Sequence, residues 1–216
     1  MRIRSASPIL LLTVLLVTGL GAQEEGLCGR TLAQLSERYQ RFQSMKARFL
    51  HVLKAPALKQ EEVEEGVLYL ARGGKMRWEY TNPEGKLAVS DGKNSFLYLP
   101  AEKQVYAQPV DKWESPFALR LLSGQARPDK EALCRGAEPV GQSVRLKLDL
   151  KEQDGSVKDL EVVYDPQVGA VTAVRFKDLL GNQVSFELSE VRMDIPLAEG
   201  LFTFHIPEGA KVVGGE

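Results

Sequence analysis

The sequence contains few of the residues that build metal sites and covalent active centres. It has two histidines, His51 and His205, and neither has a second histidine or a cysteine at metal-ligand spacing. Both lie in alternating patterns, which favours hydrogen-bonded strand residues over ligands. No Gly-x-Ser-x-Gly, phosphate-loop or dinucleotide-binding motif occurs. We therefore expect no metal, no cofactor and no enzymatic activity, although a serine-histidine-aspartate site assembled from distant strands is an alternative that sequence leaves open.

The chain also lacks a strong charge of one sign and a long apolar run. Its formal net charge is -1, without the basic cluster of a nucleic-acid-binding protein. The apolar run at 9–18 is well below the roughly 20 residues of a membrane span. It follows Arg2 and Arg4 and precedes the small residues "GLGA", as in a secretory signal. We predict that residues 1–22 are a cleaved signal peptide, and that residues 23–216 form one exported domain.

Only two cysteines are present, Cys28 and Cys134. An even number of cysteines in an exported chain favours a disulfide. Two separate buried thiols are the alternative. A Cys28–Cys134 bond would connect the start of the chain to its middle.

Most of the sequence has the period of β-strands. In "SVRLKLDLK" the apolar residues alternate with charged ones, which is typical of a half-buried antiparallel strand. Turn signals separate such runs at Gly73-Gly74, Asp91-Gly92, Asp154-Gly155 and Gly181-Asn182. The pattern predicts about ten strands that are joined mostly by hairpins.

Two segments have a helical pattern instead. From Thr31, apolar residues recur at helical spacing in Leu32, Leu35, Tyr39 and Phe42. Between about 110 and 139 the strand alternation stops, and "ESPFALRLLSG" predicts a short helix followed by a charged, turn-like "RPDKEALCRG". This helix is apolar nearly all round, so it covers something or is covered. The residues that make it apolar include Phe117, Leu119, Leu121 and Leu122.

These elements predict a mainly β fold, an unclosed antiparallel half-barrel of about ten to eleven strands. The N-terminal helix and the middle helical insertion would form its lid. In "LYLARGGKMRWEY" (68–80), strand periodicity predicts a hairpin whose alternate residues are apolar apart from Arg72. A concave apolar surface is a site for an apolar ligand, whereas a solid barrel core is the alternative. The predicted cavity lining is Phe49, Leu68, Leu70, Met76, Trp78 and Tyr80.

Residues 66–110, "GVLYLARGGKMRWEYTNPEGKLAVSDGKNSFLYLPAEKQVYAQPV", resemble the core signature of the LolA family of periplasmic outer-membrane lipoprotein carriers. "SPFALRLLSG" is similar to the family's lid helix, "LFTFHIPEGAKVV" (201–213) to its closing strand, and "ARF" (47–49) to the strand after its first helix. The resemblance covers nearly all of the chain after residue 22, in order.

The resemblance implies a periplasmic carrier that binds no nucleotide or metal. We also expect a monomer, and the charge balance predicts no nucleic-acid partner. Such a carrier receives acylated lipoproteins from an inner-membrane lipoprotein-releasing ABC transporter and passes them to an outer-membrane receptor. Arg72 matches the family's strand arginine, which holds the lid shut through hydrogen bonds to the lid backbone. Gly73-Gly74 stands where the family usually has a proline, and the two cysteines are not part of the family pattern.

Two other binding functions fit the same fold. One is a shuttle for a phospholipid or glycolipid, and the other is a lipid-sensing regulatory protein. Movement of lipid between membranes separates either shuttle from a sensor, which only holds its lipid.

Overall fold

The computed structural model describes residues 19–110, 117–151 and 157–214. Most of the predicted signal peptide and the predicted turn at Asp154-Gly155 lie outside these residues. The helices are α1 (Gly19–Arg41), α2 (Phe117–Leu122) and α3 (Pro128–Glu131), with a short 3-10 turn at Pro56–Leu58. The strands are β1 (Ser44–Ala55), β2 (Gln60–Ala71), β3 (Lys75–Asn82), β4 (Leu87–Asp91), β5 (Asn94–Leu99), β6 (Gln104–Pro109), β7 (Ala132–Val140), β8 (Ser143–Leu150), β9 (Lys158–Asp165), β10 (Ala170–Lys177), β11 (Gln183–Met193) and β12 (Lys211–Val213).

All twelve strands belong to one sheet with the order β12-β6-β5-β4-β3-β2-β1-β11-β10-β9-β8-β7. The two edges, β12 and β7, do not pair with each other, so the barrel is unclosed. Every neighbouring pair is antiparallel except β12 and β6, which are parallel. The predicted fold class is confirmed.

The strand pattern predicted the hairpins correctly wherever the structure describes them. The Gly73-Gly74 turn joins β2 to β3, and the Asp91-Gly92 turn joins β4 to β5. Both glycines of the first turn have positive φ angles, 78° and 74°, a conformation that disfavours residues with a Cβ atom. Asp91 Oδ1 accepts hydrogen bonds from the backbone N–H groups of Lys93 and Asn94, which fixes the second turn.

The helices lie over one part of the concave face. Leu32, Leu35 and Tyr39 of α1 are buried in the core, and helix α1 packs on β7 and α3. Helix α2 packs on β10, and its Leu121 is fully buried. Tyr39 also accepts a hydrogen bond at its hydroxyl oxygen from the backbone N–H of Val171, over 3.2 Å. The two helical segments therefore form one cover, as predicted.

The cover is fixed covalently to the sheet. Cys28 in α1 and Cys134 in β7 form a disulfide with a Cα–Cα distance of 5.9 Å, as predicted. Ser36 of α1 donates a hydrogen bond of 2.7 Å to Asp129 of α3, which adds a polar connection. In the described part of the chain, no helix is both long and apolar enough to cross a membrane.

Three details differ from the sequence-based expectations. Residues 132–136, the end of the segment expected to be turn-like, belong to strand β7 (Ala132–Val140), which contains Gly136 and Pro139 and therefore has a weak strand pattern. The closing strand expected over 201–213 is limited to Lys211–Val213, and His205 lies outside any strand. Helix α1 already includes Gly19, twelve residues before Thr31, where the helical pattern in the sequence starts.

Candidate functional site

A cavity of about 260 Å³ lies between the concave face of the sheet and the end of helix α2. Strands β1 to β5 and β11 form its walls, and Ser123 and Gln125, which follow α2, lie at the lid side. Most of the lining is apolar. The volume is slightly below the about 300 to 1,000 Å³ of ordinary ligand pockets, so a long apolar ligand requires the lid side to move. The lining residues are His51, Glu64, Met76, Trp78, Tyr80, Lys86, Ala88, Leu97, Ser123, Gln125 and Phe186.

Aromatic rings stabilise the floor of the cavity. The Phe49 ring packs edge-on against Trp78, at 4.8 Å between centroids, and against Tyr80, at 5.1 Å. Phe186 of β11 contacts Trp78 edge-on at 6.2 Å and stacks on the His51 imidazole at 4.3 Å. Contacts of this kind add about 0.5 to 1.5 kcal/mol each beyond area burial. The floor is therefore a preformed surface rather than a collection of mobile side chains.

A polar cluster of His51, Glu64 and Lys86 interrupts the apolar wall. His51 and Glu64 are cross-strand partners in β1 and β2, and His51 Nδ1 lies 3.1 Å from Glu64 Oε2. Lys86, just before β4, donates to the other carboxylate oxygen of Glu64. The Lys86 ammonium also lies 4.5 Å from the centroid of the Tyr80 ring, within the range of a cation–π contact. Each oxygen of the carboxylate thus has a partner in the cluster.

The electrostatics of this cluster follow from burial and pairing. Glu64 is only 4% exposed. Burial opposes its ionisation, but hydrogen bonds and charge from His51 and Lys86 outweigh that effect and lower the pKa of the carboxyl below its usual value. Burial, followed by the charge of Glu64, raises the pKa of Tyr80, so its phenol stays protonated at neutral pH. The cluster therefore contains an ionised, paired glutamate in an otherwise apolar cavity.

Arg72 lies outside this cavity. It follows β2 and borders a groove that is also lined by Ser123, Gly124 and Gln125, the residues immediately after α2. Its side chain is exposed, and its guanidinium forms no hydrogen bond or ion pair with the described residues. The position is next to the lid, but none of the described lid residues accepts a hydrogen bond from Arg72, so its role as a latch stays a prediction.

The predicted cavity residues occupy two layers. Met76, Trp78 and Tyr80 line the cavity, whereas Phe49 and the leucines at 68 and 70 are buried in the core and do not line it. In the lid helix, Phe117, Leu121 and Leu122 are buried in the same core; the side chain of Leu119 lies outside the described residues. That these residues hold an acyl chain stays a prediction.

The polar cluster was not predicted from the sequence. His51 was correctly predicted to be a hydrogen-bonded strand residue, but Glu64 was not identified as its partner. The sequence did contain a signal for it. Glu64 is separated from Leu68 and Leu70 by even numbers of residues in β2, so all three side chains face the same side of the strand, and that side is the inward one. Lys86 and Phe186 had no comparable signal, because their proximity depends on the curvature of the sheet.

The arrangement suits binding more than covalent chemistry. The cavity offers an apolar floor, a small polar cluster and a cover that meets the sheet along one side. Within the ranges that the structure describes, no group of three or more histidine, cysteine or acidic residues could hold a metal ion.

Residues 40–205 match the family model described as "Outer membrane lipoprotein carrier protein LolA". An outer-membrane lipoprotein carrier protein of Chromobacterium violaceum is 32% identical over 160 residues, which are 73% of this chain and 75% of the relative. One from Psychromonas ingrahamii is 28% identical over 182 residues, covering 82% of this chain and 84% of the relative.

Among solved structures, an uncharacterized conserved protein from Thermus thermophilus has a similar fold. Its TM-score is 0.54 at 16% sequence identity, and the match covers 85% of this chain and 98% of that protein. At this identity the likeness concerns the fold alone. Taken with the unclosed barrel, its helical cover and its apolar cavity, the family match over most of the sequence establishes that this chain belongs to the LolA family of outer membrane lipoprotein carrier proteins.

Proposed function

We propose that this protein is a periplasmic carrier that binds the acyl chains of lipoproteins in its cavity and moves them from the inner to the outer membrane. It acts by binding and release, without covalent chemistry. It receives its cargo from an inner-membrane lipoprotein-releasing ABC transporter and passes it to an outer-membrane receptor. The observation that carries the proposal is an apolar cavity under a helical cover in a chain of the LolA family.

The cavity provides a physical reason for this function. An acyl chain exposed to water costs about 0.8 kcal/mol per CH₂ group relative to an apolar environment. Met76, Trp78 and Phe186 offer such an environment, and the aromatic floor is already in place before a ligand enters. Because the aromatic floor is preformed, binding spends little free energy on ordering that floor, and the ligand can still be released to a more apolar receptor.

Ligand entry requires movement of the lid on the side away from the disulfide. Helix α1 is connected to β7 by the disulfide, so it stays on the sheet while a ligand enters. Residues 123–127 connect α2 to α3, and within this connection Ser123 and Gln125 border both the cavity and the groove at Arg72. We expect α2 and this connection to move, and Arg72 to form hydrogen bonds with the backbone there when the lid is closed. A guanidinium has five donors for such carbonyl groups.

The cargo can be identified by photo-crosslinking in cells. A photoreactive amino acid replaces Met76 on the cavity wall, and the crosslinked protein recovered from the periplasm is analysed by mass spectrometry. The matched control places the same amino acid at Leu50, which is 36% exposed and, by strand alternation, faces away from Phe49 and the cavity. Acylated lipoproteins at position 76 and not at position 50 support the carrier function.

Other results would change the proposal. Phospholipid or glycolipid alone at position 76 would favour a shuttle for those lipids. A lipoprotein that is held but not passed to outer-membrane vesicles in a transfer assay would favour a sensor. Equal crosslinking from positions 76 and 50 would contradict a ligand site in the cavity.

A further inference from the structure

The carboxylate of Glu64 and the ammonium of Lys86 place opposite charges on the wall of the cavity. We propose that this ion pair makes the cavity selective for acyl chains that end in an uncharged linkage, such as a glycerol ester, over free fatty-acid anions. The inference deepens the proposed carrier function and rests on it. It assigns the polar cluster to recognition of the polar end of the acyl ligand.

A ligand in the cavity meets few charged side chains. Among the described residues that line it, only Glu64, Lys86 and His51 are charged or can become charged near neutral pH. Glu64 is ionised at neutral pH, because its pKa lies below the usual value of a glutamate. Its negative charge offsets the positive charge of Lys86, so the cavity with a neutral His51 has no net charge to attract an anion.

Lys86 keeps hydrogen-bond donors that Glu64 does not occupy. A lysine ammonium has three N–H donors, and the hydrogen bond to Glu64 occupies one of them. The Lys86 side chain is 19% exposed and lines the cavity, so a ligand oxygen can reach it. A carbonyl oxygen of an ester needs only such a donor. The site therefore satisfies the polar end of an acyl ester without changing its own pairing.

Desolvation costs more free energy for a carboxylate than for an uncharged ester. A carboxylate that enters the cavity loses its hydration, and this cost is recovered only when it meets an uncompensated cation. Here the nearby cation is already paired, and Glu64 repels the incoming charge. An uncharged ester loses much less hydration and meets no repulsion. The same chain length is thus expected to bind more tightly as a glycerol ester than as a free acid.

The test uses two probes with the same acyl chain, laurate and 1-lauroylglycerol. Each displaces an apolar fluorescent reporter from the purified protein below its micelle concentration, at about pH 8, where an imidazole is ordinarily neutral. We expect the unaltered protein to bind the glycerol ester about tenfold or more tightly than laurate. In Glu64→Gln, the positive charge of Lys86 becomes uncompensated, so laurate binding should strengthen about tenfold while ester binding changes less than about threefold.

Two further variants attribute the change to the ion pair. Glu65→Gln removes the same charge from an exposed residue of the same strand, and it should leave both affinities unchanged. The double variant Glu64→Gln/Lys86→Met removes both charges, and it should abolish the gain in laurate binding. Circular dichroism checks that each variant is folded, and the comparison of the two probes on the unaltered protein tests the inference even where a variant fails to fold.

The outcomes separate this inference from the carrier function. If both probes bind the unaltered protein equally well, the selectivity is overturned while an acyl-binding cavity stands. The same conclusion follows if Glu64→Gln strengthens laurate binding no more than Glu65→Gln does. If neither probe displaces the reporter, the proposed acyl carrier is overturned, and the inference with it.

Discussion

The two halves of the sheet have the same strand pattern but different interiors. Beneath the helices, strands β8 to β10 carry fully buried residues such as Leu146, Val162 and Val174, and they form a solid core. At β3 to β5, inward residues such as Met76, Ala88 and Leu97 are only partly buried and border the cavity. Alternation in a strand therefore predicts which side faces inward, whereas the cover decides whether that side becomes core or binding site.

The two halves also differ in how they are held. The covered half has the disulfide, the Tyr39 hydrogen bond to Val171 and the Ser36 hydrogen bond to Asp129. The cavity half has the aromatic floor and the ion pair but little helical cover. We expect the covered half to supply most of the stability, the other half to supply affinity, and α2 with the connection that follows it to supply the opening movement.

The largest effect should follow from removal of the disulfide in the covered half. Cys28 and Cys134 are 106 residues apart, and closure of a loop of this length stabilises by about 4 to 5 kcal/mol in the chain-entropy model. We expect Cys28→Ser/Cys134→Ser to lose stability of that order in urea unfolding. Affinity for an acyl probe should change less than about threefold where the variant is folded. Unchanged stability with lost affinity would reverse the roles of the two halves.

An intermediate effect is expected from one matched pair of truncations. Leu121 is fully buried in α2, and Leu121→Ala should cost about 2 to 5 kcal/mol in urea unfolding. Met76 lies partly exposed at the cavity, so Met76→Ala should cost less, about 1 kcal/mol, but weaken an acyl probe several-fold in reporter displacement. Equal losses of stability in the two variants would show that the cavity half is as firmly packed as the core.

The smallest change in stability is expected at Arg72, on the border between the halves. Its side chain is exposed, so Arg72→Leu should shift the free energy of unfolding by no more than about 0.5 kcal/mol. Acyl binding should be unchanged or tighter, whereas transfer to an acceptor should be impaired if Arg72 holds the lid. Lys75→Leu, a nearby exposed cation in β3, is the control. Normal transfer by Arg72→Leu would count against the latch.

Much of the fold could be predicted because its signals are local. Alternation, paired turn residues and the apolar "FALRLL" segment indicated the strands, the hairpins and the lid helix, and the two cysteines indicated the disulfide. Strand β7 was not predicted, because Gly136 and Pro139 weaken its alternating pattern, although it pairs with β8 along its length. The parallel pairing of β12 with β6 joins segments about one hundred residues apart, and no local signal specifies it.

Less of the candidate site could be predicted from the sequence. The alternation in β3 predicted that Met76, Trp78 and Tyr80 face inward, but alternation cannot distinguish a cavity wall from a packed core. The hydrogen bond between Lys86 and Glu64 depends on how three strands curve toward each other. Glu64 is a charged residue at an inward-facing position of its strand, and this was the sequence feature that indicated a polar partner there.

The short parallel strand at the end of the sheet has a consequence for association between molecules. An unclosed sheet has two edges, and the unpaired backbone groups of an edge can recruit a strand from another molecule. At one edge the outermost strand, β12, is only three residues long and pairs with residues 104–106 of β6, and an edge strand this short offers few unpaired groups. At the other edge Pro139 removes a donor from β7, and the disulfide attaches α1 beside it. A protein that keeps an apolar cavity open to its ligand is thereby protected against aggregation through its sheet edges.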